Sequence, residues 1–504
     1  MMHFVQNFPF FSIFLPILCG VICLLLGNRA AKWVTFVCYV IVTVLSAMLL
    51  AFTLRTGESF VYLMGKFPAP FGNELRIGPF EAFMAMLFSS VHLLSFTGGL
   101  RDAFADIPEN KINLHFLLLN LLIGAMFAII YTNDIFTAYV FIEVIVIAAC
   151  AIICTKPSGR SILATMSYLM MTLIGSGMML LGIAMLYGVT GHLLFPGLQA
   201  GISALVASGQ FTVPLFVLTS LFVVAFAIKS AMFPFHGWLP DAHASATTST
   251  SAILSGLVVK VYIVLFVRMA HNMYSLEIIG LLGIPHLMLG FGLAGIVYGS
   301  WKAMRQKNVK LMLSYASIAS VGYIYAAVAL NTTAGIAAAS FHIAVHAAGK
   351  AMLFTAVGGL AAVSGGHKDF DSLLGAARRD PLSGAAFIVG GLSMIGIPPF
   401  SGFASKLYVT TSAVGTPYAV PVILVAVIGS TVLATMYYFP AIAKILSKPG
   451  ELSGETADFA VQENAPASLL HRATLVVFLA LNLFFGLFSA PVIRVIEQGL
   501  AALG

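Results

Sequence analysis

Apolar runs of about twenty residues recur along the whole chain, separated by short connections that hold most of the charge. An α-helix needs about 20 apolar residues to cross a hydrocarbon core. The pattern therefore predicts an all-α polytopic membrane protein, a single transmembrane domain over residues 1–504. The predicted helices lie near 10–27, 33–53, 79–99, 114–131, 134–154, 161–188, 212–232, 249–269, 276–300, 308–330, 334–363, 383–413, 420–443 and 470–494, fourteen crossings in all. The first apolar stretch, 9–26, follows no basic segment and lacks a small-residue cleavage site, so it reads as a retained helix rather than a signal peptide.

Two spans are interrupted. In AFAIKSAMFPFHGWLPD, Lys229 is followed by Pro234 and Pro240, and in SMIGIPPFSGFASKLYV, Pro398 and Pro399 precede Lys406. Proline removes a helix hydrogen bond and clashes with the preceding turn, which a bilayer tolerates only where protein or water covers the freed backbone. The seventh and twelfth helices are therefore expected to break near mid-membrane. Such a pair in corresponding parts of two halves points to inverted repeats, here 110–270 and 275–445, and to an ion site at the breaks.

Composition agrees: 60% of the 504 residues are hydrophobic and 9% are charged, with a mean hydropathy of +1.01. The net charge of +7 does not indicate nucleic acid, because the basic residues are scattered through short connections rather than gathered on one face. They track topology instead. With the N-terminus outside, the cytoplasmic connections carry Arg29, Lys32, Arg101, Lys111, Lys156, Arg160, Lys302, Arg305, Lys307, Lys310, Lys368, Arg378, Arg379, Lys444, Lys448 and Arg472. The outer ones hold only Arg55, Lys66, Arg76, Arg268 and Arg494. By the positive-inside rule, both termini are expected outside a cell inner membrane. Cys19, Cys23, Cys38, Cys150 and Cys154 all sit in apolar stretches without CxxC spacing, as inert thiols do.

Charge inside a span is costly, roughly 3 kcal/mol per residue at a helix centre, so each case is a functional hypothesis. Glu143, Lys229, Lys260, Lys350 and Lys406 all fall within predicted spans. An isolated Glu143–Lys229 pair is explained equally well as a structural ion pair. Three further lysines favour a proton relay, since burial disfavours the charged form of an amine and lets it release a proton. His342, His346 and Lys350, spaced i, i+4 and i+8, share one helix face, and imidazole titrates near neutral pH. His236, Asp241 and His243 flank the first break in FHGWLPDAHASATTSTS and are candidates for proton uptake from the cytoplasm, with a solvated loop as the competing reading. Lys310 is expected to set topology and Asp134 to cap the fifth helix. No metal or cofactor site is expected: the His342 and His346 pair lacks a nearby carboxylate or thiol, and no nucleotide loop, haem ligand pair or nucleophile elbow is visible. A carrier for a small organic solute would also break helices at the midplane, but its polar groups would gather in one cavity rather than spread over five helices. A purely structural subunit leaves the buried lysines unexplained.

Taken in order, DIFTAYVFIE, KSAMFPFHGWLPDAHASATTSTSAILSGLVVK, NVKLMLSYASIASVGY, HIAVHAAGKAMLF and GIPPFSGFASK, spread over residues 133–406, resemble the antiporter-like subunits of respiratory complex I, Mrp-type cation/proton antiporters and membrane-bound hydrogenases. The resemblance implies a fourteen-helix core in which Glu143 lies beside Lys229, with protons passing through Lys260 and the histidines of the eleventh helix toward Lys406. It implies paralogous antiporter-like subunits and other membrane subunits as partners, and protons, with sodium as the alternative ion. A complex-I-like or hydrogenase-like parent ranks first and an Mrp-type antiporter second. Ser320 stands where some members carry a histidine, so a link through that position requires water. Ending soon after the last predicted span, the sequence resembles the shorter members rather than the one with a long lateral helix.

Overall fold

The computed structural model describes residues 2–68, 72–209, 212–416, 419–447 and 468–503; Lys448 and Gly504, which enter the topology reading, lie outside the described residues. The chain is a helical membrane protein. Eleven described helices are long and apolar enough to cross a membrane, while Phe8–Cys23, Val213–Lys229 and Pro381–Ile395 are apolar but shorter. Thr248–Tyr274 and Thr333–Ala362 form the buried axis, with no part of their apolar windows exposed. Thr333–Ala362 achieves this with small residues, including Gly335, Ala337, Ala338, Ala344, Ala347 and Gly349, which let neighbouring backbones approach. Gly159–Thr190 and Val420–Leu446 lie at the periphery and turn apolar side chains such as Leu163 and Val425 outward.

Both predicted breaks are present. Thr212–Lys229 stops at Lys229, and a helix resumes only at Trp238–Ser245. The interruption is covered by protein: the Trp238 indole donates to the Ile228 carbonyl at 3.0 Å, and Met232 N–H donates to Ala227 O at 2.8 Å. Pro381–Ile395 ends on Gly396, at φ 97°, a left-handed conformation that favours glycine. A Cβ there would also meet Lys406 Cδ at 3.0 Å. The helix restarts as Ser401–Ser412 and carries Lys406 in its second turn.

Other features differ from the sequence reading. Phe60–Leu63 and Glu74–Ile77 pair as an antiparallel hairpin, with Phe60 opposite Ile77, and Phe195–Ser208 forms a helix too short to span. The last predicted helix is two, Leu469–Leu487 and Ser489–Ala501; nineteen residues already suffice to cross, and Pro491 suits the first turn of the second. The helix predicted at 249–269 contains a π-helical turn at Leu254–Val258 and runs on to Tyr274. Arg268 is therefore fully buried rather than in an outer connection. It pairs with Glu81 at 3.0 Å and donates to the carbonyls of Ile129 and Thr132. Of the cysteines, Cys23, Cys38 and Cys150 are buried, Cys19 and Cys154 half-buried, and all five are free.

Candidate ion-translocation site

Asp134 caps Ile135–Cys154 by accepting from Thr137 N–H at 2.6 Å, and two turns later the helix presents Glu143. Lys229, the last residue before the first break, reaches Glu143 Oε1 at 3.3 Å and Ser176 Oγ at 2.7 Å. The Ser176 hydroxyl also donates to Glu143, so it bridges the pair. Lys229 is fully buried, whereas the Glu143 side chain is 23% exposed. It lies on the same outward stripe as Phe136, Val140 and Ile147, so one end of the pair is sealed in protein and the other faces the bundle surface.

The remaining lysines follow in the interior. The Lys260 ammonium donates to the Ser255 carbonyl, part of the π-helical turn one turn before it. Ser255 Oγ lies 2.9 Å from Ser317 Oγ, which donates to Leu313 O. Lys350 Nζ donates to that same carbonyl at 2.9 Å and approaches Tyr438 Oη at 3.4 Å. His342 and His346 stack with ring centroids 6.0 Å apart, and His342 Nδ1 lies 2.6 Å from Ser405 Oγ, the residue before Lys406. Lys406 donates to Ile395 O at 2.7 Å, the last carbonyl before the second break, and to Thr431 Oγ1 at 2.9 Å.

Buried polar atoms are normally paired, yet both ring nitrogens of His243 and His346, His342 Nε2 and Tyr323 Oη have no hydrogen-bond partner among the described residues. These atoms suit water. A cavity of about 20 Å³, lined by Ser320, Tyr323, Lys350 and Lys406 among others, is roughly the size that admits a water molecule. Ser320 thus borders the space between the two lysines.

Known proteins share the sequence pattern and fold of this chain. The transmembrane family described as NADH:quinone oxidoreductase/Mrp antiporter matches residues 132–434. The chain belongs to this family. It is 32% identical over 435 residues to the NADH-quinone oxidoreductase subunit N of Desulforudis audaxviator (strain MP104C), covering 84% of each chain. The antiporter subunit mnhD2 of Staphylococcus epidermidis (strain ATCC 35984) is 26% identical over 496 residues, 98% of this chain and 95% of that one. Among solved structures, a chain of the archaeal respiratory membrane-bound sulfane sulfur reductase superposes with a TM-score of 0.84 at 27% identity, covering 99% of this chain and 96% of that one. A chain of the Mrp complex from Dietzia sp. DQ12-45-1b gives 0.85 at 21% identity over 99% and 97%, a likeness of fold.

The family match covers Glu143, Lys229, Lys260, His342, His346, Lys350 and Lys406. The structure does not treat the three uptake candidates alike. Asp241 is exposed. His236 packs against the rings of Phe233 and Tyr298. His243 is fully buried rather than in a solvated loop, and it lies within electrostatic reach of Lys260, Lys310 and Lys350. Lys310 departs furthest from expectation: it is also fully buried, donating to Ala246 O at 2.6 Å, where a topology-setting lysine would be solvated. Ser176, Thr431 and Tyr438 contact Lys229, Lys406 and Lys350 respectively but gave no signal in the sequence, since hydroxyls in apolar helices serve packing equally well. Among the described residues no three His, Cys, Asp or Glu side chains converge as metal ligands would.

Proposed function

We propose that the chain is the proton-translocating, antiporter-like subunit of a multisubunit, complex-I-related membrane assembly, oxidoreductase-like or hydrogenase-like. Protons move along Glu143, Lys229, Lys260, His346, His342, Lys350 and Lys406, with water bridging the gaps. The observation that carries this reading is the succession of buried lysines held by neutral acceptors. Lys260, Lys350 and Lys406 each donate to a backbone carbonyl and have no carboxylate partner among the described residues. A lysine kept only for structure would be paired with an acid, because an unpaired buried charge is costly. A lysine that must release its proton is served by a neutral partner.

The relatives support a parent assembly with other membrane subunits, and the proposed assembly includes paralogous antiporter-like ones. The partly exposed Glu143 on an apolar stripe suits a neighbouring subunit there. An Mrp-type sodium/proton antiporter is the second reading, favoured by the near full-length match to mnhD2. Co-purification decides between them: iron–sulfur or nickel-containing partners support the first, and a set of small membrane proteins without redox centres supports the second. Saturable uptake of an organic solute by the purified chain alone in liposomes would refute both.

The same reading has fourteen crossings, two inverted repeats at 110–270 and 275–445, and both termini outside a bacterial or archaeal cell membrane. A reporter fused after residue 504 is then expected to be accessible from outside. A cytoplasmic signal refutes the number of crossings.

A further inference from the structure

A relay must collect protons from the aqueous side, and the sequence drew attention only to the loop holding His236, Asp241 and His243. A different group of titratable side chains converges where several helices end. Asp106, the last residue of Pro79–Asp106, has Oδ2 2.9 Å from Lys156 Nζ and 3.9 Å from Lys368 Nζ. The three side chains are 25%, 28% and 17% exposed, so the group reaches the surface. One turn deeper, half-buried Asp102 lies beside Thr248, Lys368 and His471. Lys368, in the connection after Thr333–Ala362, has its amine held below the ordinary lysine range by burial and by Lys156, with Asp106 and Asp102 opposing.

The group continues inward. Lys310 is within electrostatic reach of Asp102, Asp106, Lys156 and Lys368. It is fully buried and donates to Ala246 O at 2.6 Å. Ala246 lies three residues from His243, which is also fully buried, has both ring nitrogens unpartnered among the described residues, and is within reach of Lys310, Lys260 and Lys350. Titratable groups thus run from a wet surface cluster to the middle of the lysine file.

We infer that Asp106, Asp102, Lys310 and His243 form the cytoplasmic mouth of the relay, taking protons from water and delivering them to Lys260 and Lys350. This rests on the relay proposed above and makes the exposed Asp241 unnecessary for uptake. Each transfer breaks an O–H or N–H bond on one group and forms one on the next, directly or through water, and no electrons move.

The test uses the whole complex in liposomes, measuring assembly and proton translocation for Lys310→Arg, Asp102→Asn and, in parallel, Lys406→Ala. Arginine keeps the cation and can donate to Ala246 O, but it does not release its proton. A structural role for Lys310 therefore predicts retained translocation in Lys310→Arg, whereas the mouth predicts a loss of about tenfold or more. Asp102→Asn is expected to slow translocation at neutral pH and to recover as the cytoplasmic-side pH falls, because Asp106 remains to collect protons. If Lys310→Arg fails to assemble, Asp102→Asn decides. Wild-type translocation at every pH in an assembled Asp102→Asn complex, or in an assembled Lys310→Arg complex, overturns the mouth. Wild-type translocation in Lys406→Ala overturns the relay itself, so the two failures are distinguishable.

Discussion

Replacing Glu143 by glutamine is expected to remove most proton translocation, by about tenfold or more, while the complex still assembles. An opposite charge nearby favours the protonated form of a buried amine, and desolvation favours the neutral form. Glu143 Oε1, 3.3 Å from Lys229 Nζ and bridged to it by Ser176, supplies that opposite charge. In the proposed relay, Lys229 holds its proton while the carboxylate is close and ionised and passes it on when the carboxylate moves or is neutralised. Glutamine keeps the shape and the bond to Ser176 but removes the control. Aspartate keeps the charge on a shorter side chain, lengthening the contact, so Glu143→Asp is expected to retain part of the activity. The 23% exposure of the Glu143 side chain suits this role, because it leaves the carboxylate accessible from the bundle surface.

Lys406→Ala is the second large expected effect: coupled ion movement is blocked, again by about tenfold or more, with assembly largely intact. Lys406 donates to the carbonyl of Ile395 at the second break and to Thr431. Alanine leaves that carbonyl without its donor, a cost of roughly 1–3 kcal/mol, small for a bundle whose axis is wholly buried. It also removes the titratable group that borders the cavity shared with Lys350 and Ser320. Lys406→Arg separates charge from titration, because arginine retains the cation but does not give up its proton, and it should also fail to translocate. Loss of assembly in Lys406→Ala would mark the residue as structural.

Much of this architecture is legible in the sequence because lipid is an unforgiving solvent. Apolar length reports a helix, and Pro234 and Pro398–Pro399 report breaks because proline cannot sustain the helix hydrogen bonds. Glu143, Lys229, Lys260, Lys350 and Lys406 stand out because charge is otherwise expensive inside a span. The less legible features are those whose burial is decided by other helices. Lys310 and Arg268 sit near helix ends, where a basic residue is ordinarily solvated, and only the packed bundle covers them. The π-helical turn before Lys260 leaves no trace in LSGLV, which simply continues the run of a membrane-spanning helix. Ser176 sits in a small, apolar stretch whose serine serves helix packing equally well, and its bridging position depends on Gly159–Thr190 lying against both partners. His243 reads as loop because its neighbours are polar, yet it lies in the short helix Trp238–Ser245, which the fold packs into the interior.

The central claim is that protons cross through a charge-controlled Glu143–Lys229 pair. It is tested most directly by measuring proton translocation and assembly for wild type, Glu143→Gln and Glu143→Asp in the same membranes. The account predicts intact complexes in all three, translocation nearly lost in Glu143→Gln and partly kept in Glu143→Asp; equal translocation in Glu143→Gln and wild type, with the complex intact, would contradict it.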